Sequence, residues 1–268
     1  MLNHATKNAT DPATNLAKNL ANNKIDLNAD LGEGAENDAA ILALVSSANI
    51  ACGGHTGDGN SMRTAIRLAK QNGVTIGAHP SFIDRENFGR STMHPPLDAL
   101  YFDLKKQIQT LIQIANEEGT TVKYVKAHGA LYNQTAHDIA LAEVLMQATI
   151  DSNSKLGLMC LAGSPIVQWA QQKNIKVIEE AFADRRYNAD GTLVSRNLNN
   201  ACIDDKEEAI QQCVALVKMH QLKAVTNELI TSTAQSICVH GDGEHALALV
   251  RQIHSRFAQE KIRICPAF

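Results

Sequence analysis

Four of the ten histidines, His55, His79, His128 and His240, stand directly beside a glycine or a proline where a short β-prone run ends. Acidic residues fall at similar places: Asp30 and Glu33 after the first such run, Asp58 after the second and Asp242 after the last. Neutral imidazole serves near pH 7 as general base, general acid or metal ligand, and an adjacent carboxylate fixes its tautomer or shares its proton. One histidine at a strand end is ordinarily structural. Four, on loops that a single fold can bring to one rim, point to a titratable site.

Other residues fit such a site. Gly54-His55-Thr56-Gly57-Asp58-Gly59-Asn60-Ser61 has the glycine spacing of a phosphate loop but carries Asn60 where the lysine belongs, so it is no P-loop. Gly53 and Gly54 still allow backbone N–H groups before a helix to face an anion, and Lys126 at another strand end offers a point charge; a plain tight turn and a Lys126–carboxylate pair explain the same residues equally well. Arg85 and Arg185, each directly after an aspartate (Asp84 and Asp184), suit two-pronged capture of a carboxylate or phosphate, whereas Arg186 reads as a solvated surface residue. Cys52, before a Gly-Gly turn, reads as a small buried residue.

The spacing of these motifs implies the elements that position them. Strands are expected over 24–31, 48–51, 74–78, 122–127, 156–161, 176–180 and 237–240. Between them helical periodicity runs over 38–46, from Asn60 or Ser61 to Gln71, and over 97–118, 138–151, 164–173, 205–219 and 244–259. Strand and helix alternating six or seven times predicts a parallel sheet closed into a barrel, with its site at the C-terminal ends of the strands. Those ends carry Asp30, His55, His79, His128, Glu180 and His240. The loop 80–96 is long enough to be a lid. Residues 1–23 lack bulky apolar periodicity and read as a flexible extension before a single domain over 24–268.

Composition narrows the function. A formal charge of −3 and an aromatic content of 4% offer neither a basic field nor a stacking platform for nucleic acid. No apolar run is long enough to span a bilayer, and no signal sequence is evident. Six cysteines without a Cys-x-x-Cys pair suggest reduced thiols and a cytoplasmic protein. A small-molecule site is the remaining default.

The longer stretches resemble the LamB/YcsF family. They are Ile-Asp-Leu-Asn-Ala-Asp-Leu-Gly-Glu-Gly (25–34), Ser-Ala-Asn-Ile-Ala-Cys-Gly-Gly-His-Thr-Gly-Asp (47–58), the run 76–90 around Gly-Ala-His-Pro-Ser, Val-Lys-Ala-His-Gly-Ala-Leu-Tyr-Asn (125–133), Glu-Ala-Phe-Ala-Asp-Arg-Arg-Tyr (180–187) and Val-His-Gly-Asp (239–242). Two positions depart from the family pattern: Gly54 replaces a usual phenylalanine, and Ala127 a usual proline.

The resemblance implies α/β architecture, a distorted seven-stranded TIM-like (β/α) barrel of the glycoside hydrolase/deacetylase type. It also implies the role of the A subunit of 5-oxoprolinase, opening 5-oxo-L-proline to L-glutamate with ATP hydrolysis, ATP carrying Mg²⁺, in a complex with subunits B and C. On that reading His55 or His128, oriented by Asp30 or Asp58, activates water. Lys126 and the Gly53–Gly54 loop stabilise phosphate or oxyanion charge, and Arg85 or Arg185 holds the substrate carboxylate. Glu33, His79, Asp184, His240 and Asp242 complete the substrate and phosphate contacts, and no tightly held protein metal is expected. Two rivals are a metal-dependent deacetylase or carbohydrate hydrolase, with Asp30, His55 and His128 as ligands, and a non-catalytic scaffold protein of the same complex.

Overall fold

The first strand shows how this chain separates its two sides. In β1, Lys24–Leu31, the alternation Ile-Asp-Leu-Asn-Ala-Asp-Leu sends Leu27, Ala29 and Leu31 into the main apolar core, while Asp26, Asn28 and Asp30 share the opposite face. The computed structural model describes residues 23–240 and 246–268, so residues 1–22 and Asp242 lie outside the described residues. After β1 come α1 (Asp38–Leu42), β2 (Ser47–Ala51), α2 (Gly59–Asn72), β3 (Thr75–His79), α3 (Leu97–Glu117), β4 (Val122–Lys126), α4 (Gly129–Thr135) and α5 (Ile139–Ser152). The chain continues with β5 (Gly157–Leu161), α6 (Pro165–Gln172), β6 (Val177–Phe182), α7 (Lys206–Met219), a small antiparallel pair β7 (Gln221–Lys223) and β8 (Leu229–Thr231), β9 (Ser236–His240), α8 (Ala246–Gln259) and β10 (Arg263–Ile264).

The parallel order is β1-β2-β3-β4-β5-β6-β9, and β9 pairs back onto β1 with Asp30 opposite His240. Seven strands therefore close into a barrel, as expected. β10 adds a short parallel pairing at the start of β1. Helices α2 to α8 bury their apolar faces on the outside of the strands, as with Met62, Ala65, Ile66 and Ala69 of α2 and Val250, Ile253 and Phe257 of α8. Among the described residues no helix is long and apolar enough to cross a membrane.

Three local elements depart from expectation. The helix expected over 38–46 stops at Leu42. The turn at Gly129–Thr135 forms its own short helix before α5, whose N-cap Asp138 accepts from the N–H groups of Ala140 and Leu141. The β7–β8 pair, only three residues a strand, is too short for apolar alternation to reveal it, and it is held by pairing and by Leu222 and Ile230 packed on the main core.

The barrel interior is layered. At its lower end Tyr124, Met159 and Ile178 form a separate apolar cluster against which Phe268 packs, the Tyr124 and Phe268 rings stacked at 5.9 Å. Above that plug the interior is polar. Asp26 accepts from Ser46 and Ser47 at 2.6 and 2.7 Å and from Ser236, and Ser236 in turn accepts from the Asn28 amide at 2.7 Å. The Asn49 amide donates to Asn28 and Asp30, while its oxygen accepts from the Tyr124 hydroxyl at 2.6 Å.

Lys126, 2% exposed, extends into this layer and sets its Nζ 2.9 Å from Asp30 and 3.1 Å from Glu180. Burial opposes an ammonium here, yet Asp30 and Glu180 hold its pKa well above the usual lysine range. Replacing Lys126 by methionine leaves two carboxylates in the barrel without their cation. The expected loss is about 3–5 kcal/mol of unfolding free energy, measurable by urea denaturation, with partial recovery when Glu180→Gln is added.

Candidate active site at the C-terminal mouth of the barrel

A cleft of about 700 Å³ opens where the strands end, and Asp30, Glu33, His79, Lys126, His128 and His240 all line it. β1 delivers Asp30 and, one turn later, Glu33; β3 ends on His79; the residues after β4 carry His128; β9 ends on His240. His55 lies on the loop between β2 and α2, 1% exposed, and packs face to face on His128 with ring centroids 3.6 Å apart. These residues are distant in sequence, and barrel closure alone brings them together.

Hydrogen bonding assigns the histidine tautomers. His79 donates from Nδ1 to the Lys126 carbonyl at 2.8 Å, and His128 donates from Nε2 to the Phe88 carbonyl at 2.9 Å. The remaining nitrogens, His79 Nε2 and His128 Nδ1, face each other at 3.0 Å, with Asp30 Oδ2 3.4 Å from His79 Nε2. His55 Nε2 meets Glu33 Oε1 at 3.0 Å, and His55 Nδ1 is buried without a hydrogen-bond partner.

Burial, with His79 alongside, pushes His55 down to about 3 and His128 down to about 2, so both rings are neutral at physiological pH. Against the opposing effect of burial, His79 and Lys126 hold Asp30 well below the usual carboxylate range. A permanent carboxylate beside neutral imidazoles is an arrangement that can accept a proton from water or bind a cation.

A second set lines the rim. His240 receives Arg196 Nη2 on Nε2 at 2.7 Å and donates from Nδ1 to Asp184 at about 2.9 Å. Burial opposes ionisation of Asp184, but His240 keeps its pKa below the ordinary value. Arg196 is a site residue that sequence reading missed. It lies in the irregular stretch after β6, where no periodicity or motif separates it from the neighbouring arginines.

Several expected site residues make contacts within the scaffold. Asp58 is exposed and caps α2: it accepts from the Asn60 and Ser61 N–H groups while Ser61 accepts from the Asp58 N–H, a capping box placed ahead of the expected Asn60 or Ser61 cap. It does not touch either stacked histidine, and its carboxylate occupies the helix terminus where a phosphate was expected. Arg85 donates to the Gly53 and Gly57 carbonyls at 2.9 and 3.0 Å, and Arg185, though it lines the cleft, is committed to the Val194 and Ala201 carbonyls. Lys126 is likewise committed to Asp30 and Glu180. Cys52 is buried, which pushes its thiol up to about 12 and removes it as a nucleophile.

Gly53 adopts a φ of 93°, a left-handed turn. Gly54 has a different constraint: a Cβ there would lie 2.4 Å from Ser81 Oγ and 2.5 Å from Gln107 Oε1. Gln107, from α3, fills that space and bonds both backbone groups of Ser81, at 3.0 and 2.9 Å. The aromatic wall that Gly54 lacks is supplied by Phe88, edge-on to His55 at 5.2 Å and to His128 at 5.5 Å. The loop 80–96, expected as a lid, is thus packed down as a wall, with the Gly89 carbonyl accepting from Ala130 N–H and the Asp84 carbonyl from Gly89 N–H.

A closed seven-stranded parallel barrel with a histidine and carboxylate cluster at its C-terminal mouth defines a TIM-like α/β barrel protein with a small-molecule cleft. A profile of the LamB/YcsF family matches residues 25–268, and the chain belongs to that family. Among solved structures it is similar to a lactam utilization protein from Thermus thermophilus, with 33% identity, a TM-score of 0.84, and 91% of this chain and 100% of that one covered. A putative cellobiose-phosphate cleavage protein from Enterococcus faecalis shares the fold at 13% identity and TM-score 0.56, covering 91% and 97% of the two chains.

Two measurements test this assignment of roles. Asp58→Ala removes a cap and should lower the melting temperature by about 2–4 °C while leaving any activity of the cleft in the wild-type range. His55 and His128, neutral when folded, regain the ordinary histidine value of 6.5 on unfolding. The unfolded chain then binds more protons, so their contribution is complete above about pH 6.5 and is lost as pH falls, by roughly 1 kcal/mol per ring per pH unit. Urea midpoints between about pH 7 and pH 4 should fall accordingly, and less steeply in His55→Gln.

Proposed function

We propose that this chain is the A subunit of an ATP-dependent 5-oxoprolinase, opening 5-oxo-L-proline to L-glutamate with ATP hydrolysed to ADP and phosphate, in a cytoplasmic complex with subunits B and C. The single observation that carries the reading is membership of the LamB/YcsF family over residues 25–268, supported by likeness to a lactam utilization protein. The cleft chemistry agrees with it. A lactam is an unactivated amide, and its hydrolysis requires water to be deprotonated near the carbonyl carbon, charge on the carbonyl oxygen to be stabilised, and a proton to reach the departing ring nitrogen.

In this reading the neutral His128, stacked on His55 and facing His79, receives the proton of the attacking water. Asp30 stabilises the positive charge that develops on the imidazole pair, acting through His79 Nε2 at 3.4 Å. Arg196, held in place by His240 and Asp184, replaces Arg85 and Arg185 as the cation that takes the substrate carboxylate. The glycine loop before α2 does not fit ATP, because Asp58 already caps the helix. The nucleotide with its Mg²⁺ is therefore assigned to the assembled complex, and this chain to the hydrolytic half of the reaction.

The chain mixed with subunits B and C should release glutamate from 5-oxoproline only when ATP and all three proteins are present. His128→Ala should reduce that release by at least about 100-fold with an unchanged circular dichroism spectrum. Absence of glutamate, with B and C shown to be active beside another LamB/YcsF protein, would overturn the proposal.

A further inference from the structure

Three acceptor atoms converge on the floor of the cleft: Asp30 Oδ2, His79 Nε2 and His128 Nδ1, all within 4.8 Å of one another. The far side of each group is already committed. His79 Nδ1 and His128 Nε2 both donate to backbone carbonyls, which can only accept, so in the neutral rings the two facing nitrogens carry lone pairs. Asp30 turns its other oxygen, Oδ1, to Lys126 at 2.9 Å and Asn49 at 2.7 Å, leaving Oδ2 toward the same point. Two imidazole lone pairs 3.0 Å apart, with a carboxylate oxygen 3.4 Å from one of them, repel unless a cation lies among them.

We propose that Asp30, His79 and His128 bind one divalent transition-metal ion of the Zn²⁺ type, with a coordination position open to the cleft. The donor set is two imidazoles and a carboxylate, which favours zinc and its neighbours over the all-oxygen preference of Mg²⁺ or Ca²⁺. The spacing fits: a tetrahedral ion with bonds near 2.1 Å separates its ligand atoms by about 3.4 Å, and the contacts here are 3.0 and 3.4 Å. The surrounding hydrogen bonds fit as well. Ligand histidines characteristically give their other N–H to a carbonyl or carboxylate, as both rings do here, and Lys126 with Asn49 orients the Asp30 carboxylate.

This ligand set differs from the Asp30, His55 and His128 set expected from sequence. His55 is the outer ring, stacked on His128 and bonded to Glu33, whose Oε1 stands 3.6 Å from His128 Nδ1. An ion held there would take the His128 Nδ1 lone pair, so His128 would be the base only in the metal-free chain, and Glu33, bonded to His55, would be the carboxylate beside the ion. The use of the ion in lactam opening rests on the function proposed above; its binding does not.

The purified full-length chain, stripped with a chelator and checked by circular dichroism, would be titrated with Zn²⁺ alone and with Co²⁺ alone, using calorimetry and visible absorption. One ion per chain is expected, with the intense visible bands of four-coordinate Co²⁺, and at least about tenfold weaker binding in both His79→Gln and His128→Gln. Asp58→Ala should bind as wild type. Should one histidine variant fail to fold, the other together with a Zn²⁺-dependent rise in the wild-type melting temperature decides the matter.

No stoichiometric uptake by the wild type, or equal uptake by a folded histidine variant, would overturn the site and leave a proton shared between the two rings as its occupant. Glutamate release that persists in the chelated chain with excess Mg²⁺·ATP, alongside no uptake, would sink the metal while sparing the lactam reading. Uptake abolished by the variants in a chain that releases no glutamate would establish the metal and sink the lactam reading.

Discussion

The ammonium of Lys126 inside the barrel is the interaction on which the rest depends. Asp30 and Glu180 enter the interior from β1 and β6, and the Lys126 ammonium from β4 stands within 3.1 Å of both and helps hold Asp30 well below the usual carboxylate range. Because the lysine and its partners lie on three strands, it also ties together opposite sides of the barrel. Together with His79 it keeps Asp30 an anion, and that fixed negative charge gives the cleft its ability to take a proton or a metal ion. Lys126 thus lines the cleft and at the same time holds Asp30 through its ammonium.

Around this centre the chain uses its polar residues in two ways. Some build the scaffold: Asp58 caps a helix, Arg85 ties down the glycine turn, Arg185 holds the stretch after β6, and Gln107 fills the space that Gly54 leaves open. Others are held ready by these supports. Phe88, fixed on a loop that folds over the mouth, orients His128 through its carbonyl and walls the histidine stack with its ring. His240 is oriented on one side by Asp184 and presents Arg196 on the other. At position 54, where no side chain stands, Gln107 occupies the space, and Phe88 packs edge-on to the histidine stack.

The tautomers carry the chemical content of the site. A neutral histidine whose outer nitrogen gives its hydrogen to a carbonyl has a lone pair on its inner nitrogen, and two rings so anchored, with those nitrogens facing each other beside a carboxylate, create a place for positive charge. The protein backbone, through the carbonyls of Lys126 and Phe88, decides this. Neither carbonyl carries a side-chain signature, so no inspection of residue types reveals it.

By itself the sequence determined the alternation of strand and helix, the closure implied by seven repeats, and the group of residues at the strand ends from which the site is drawn. Those features follow from local periodicity and from glycine or proline stops, which each segment carries within itself. Asp30, His79, His128 and His240 were legible for that reason. The tertiary structure alone decided which of several chemically equal residues meet: Arg196 on His240, His79 beside Asp30, and Glu33 on His55. Their side chains have the same chemistry, and only closure of the barrel and the path of the loops set which of them come within bonding distance.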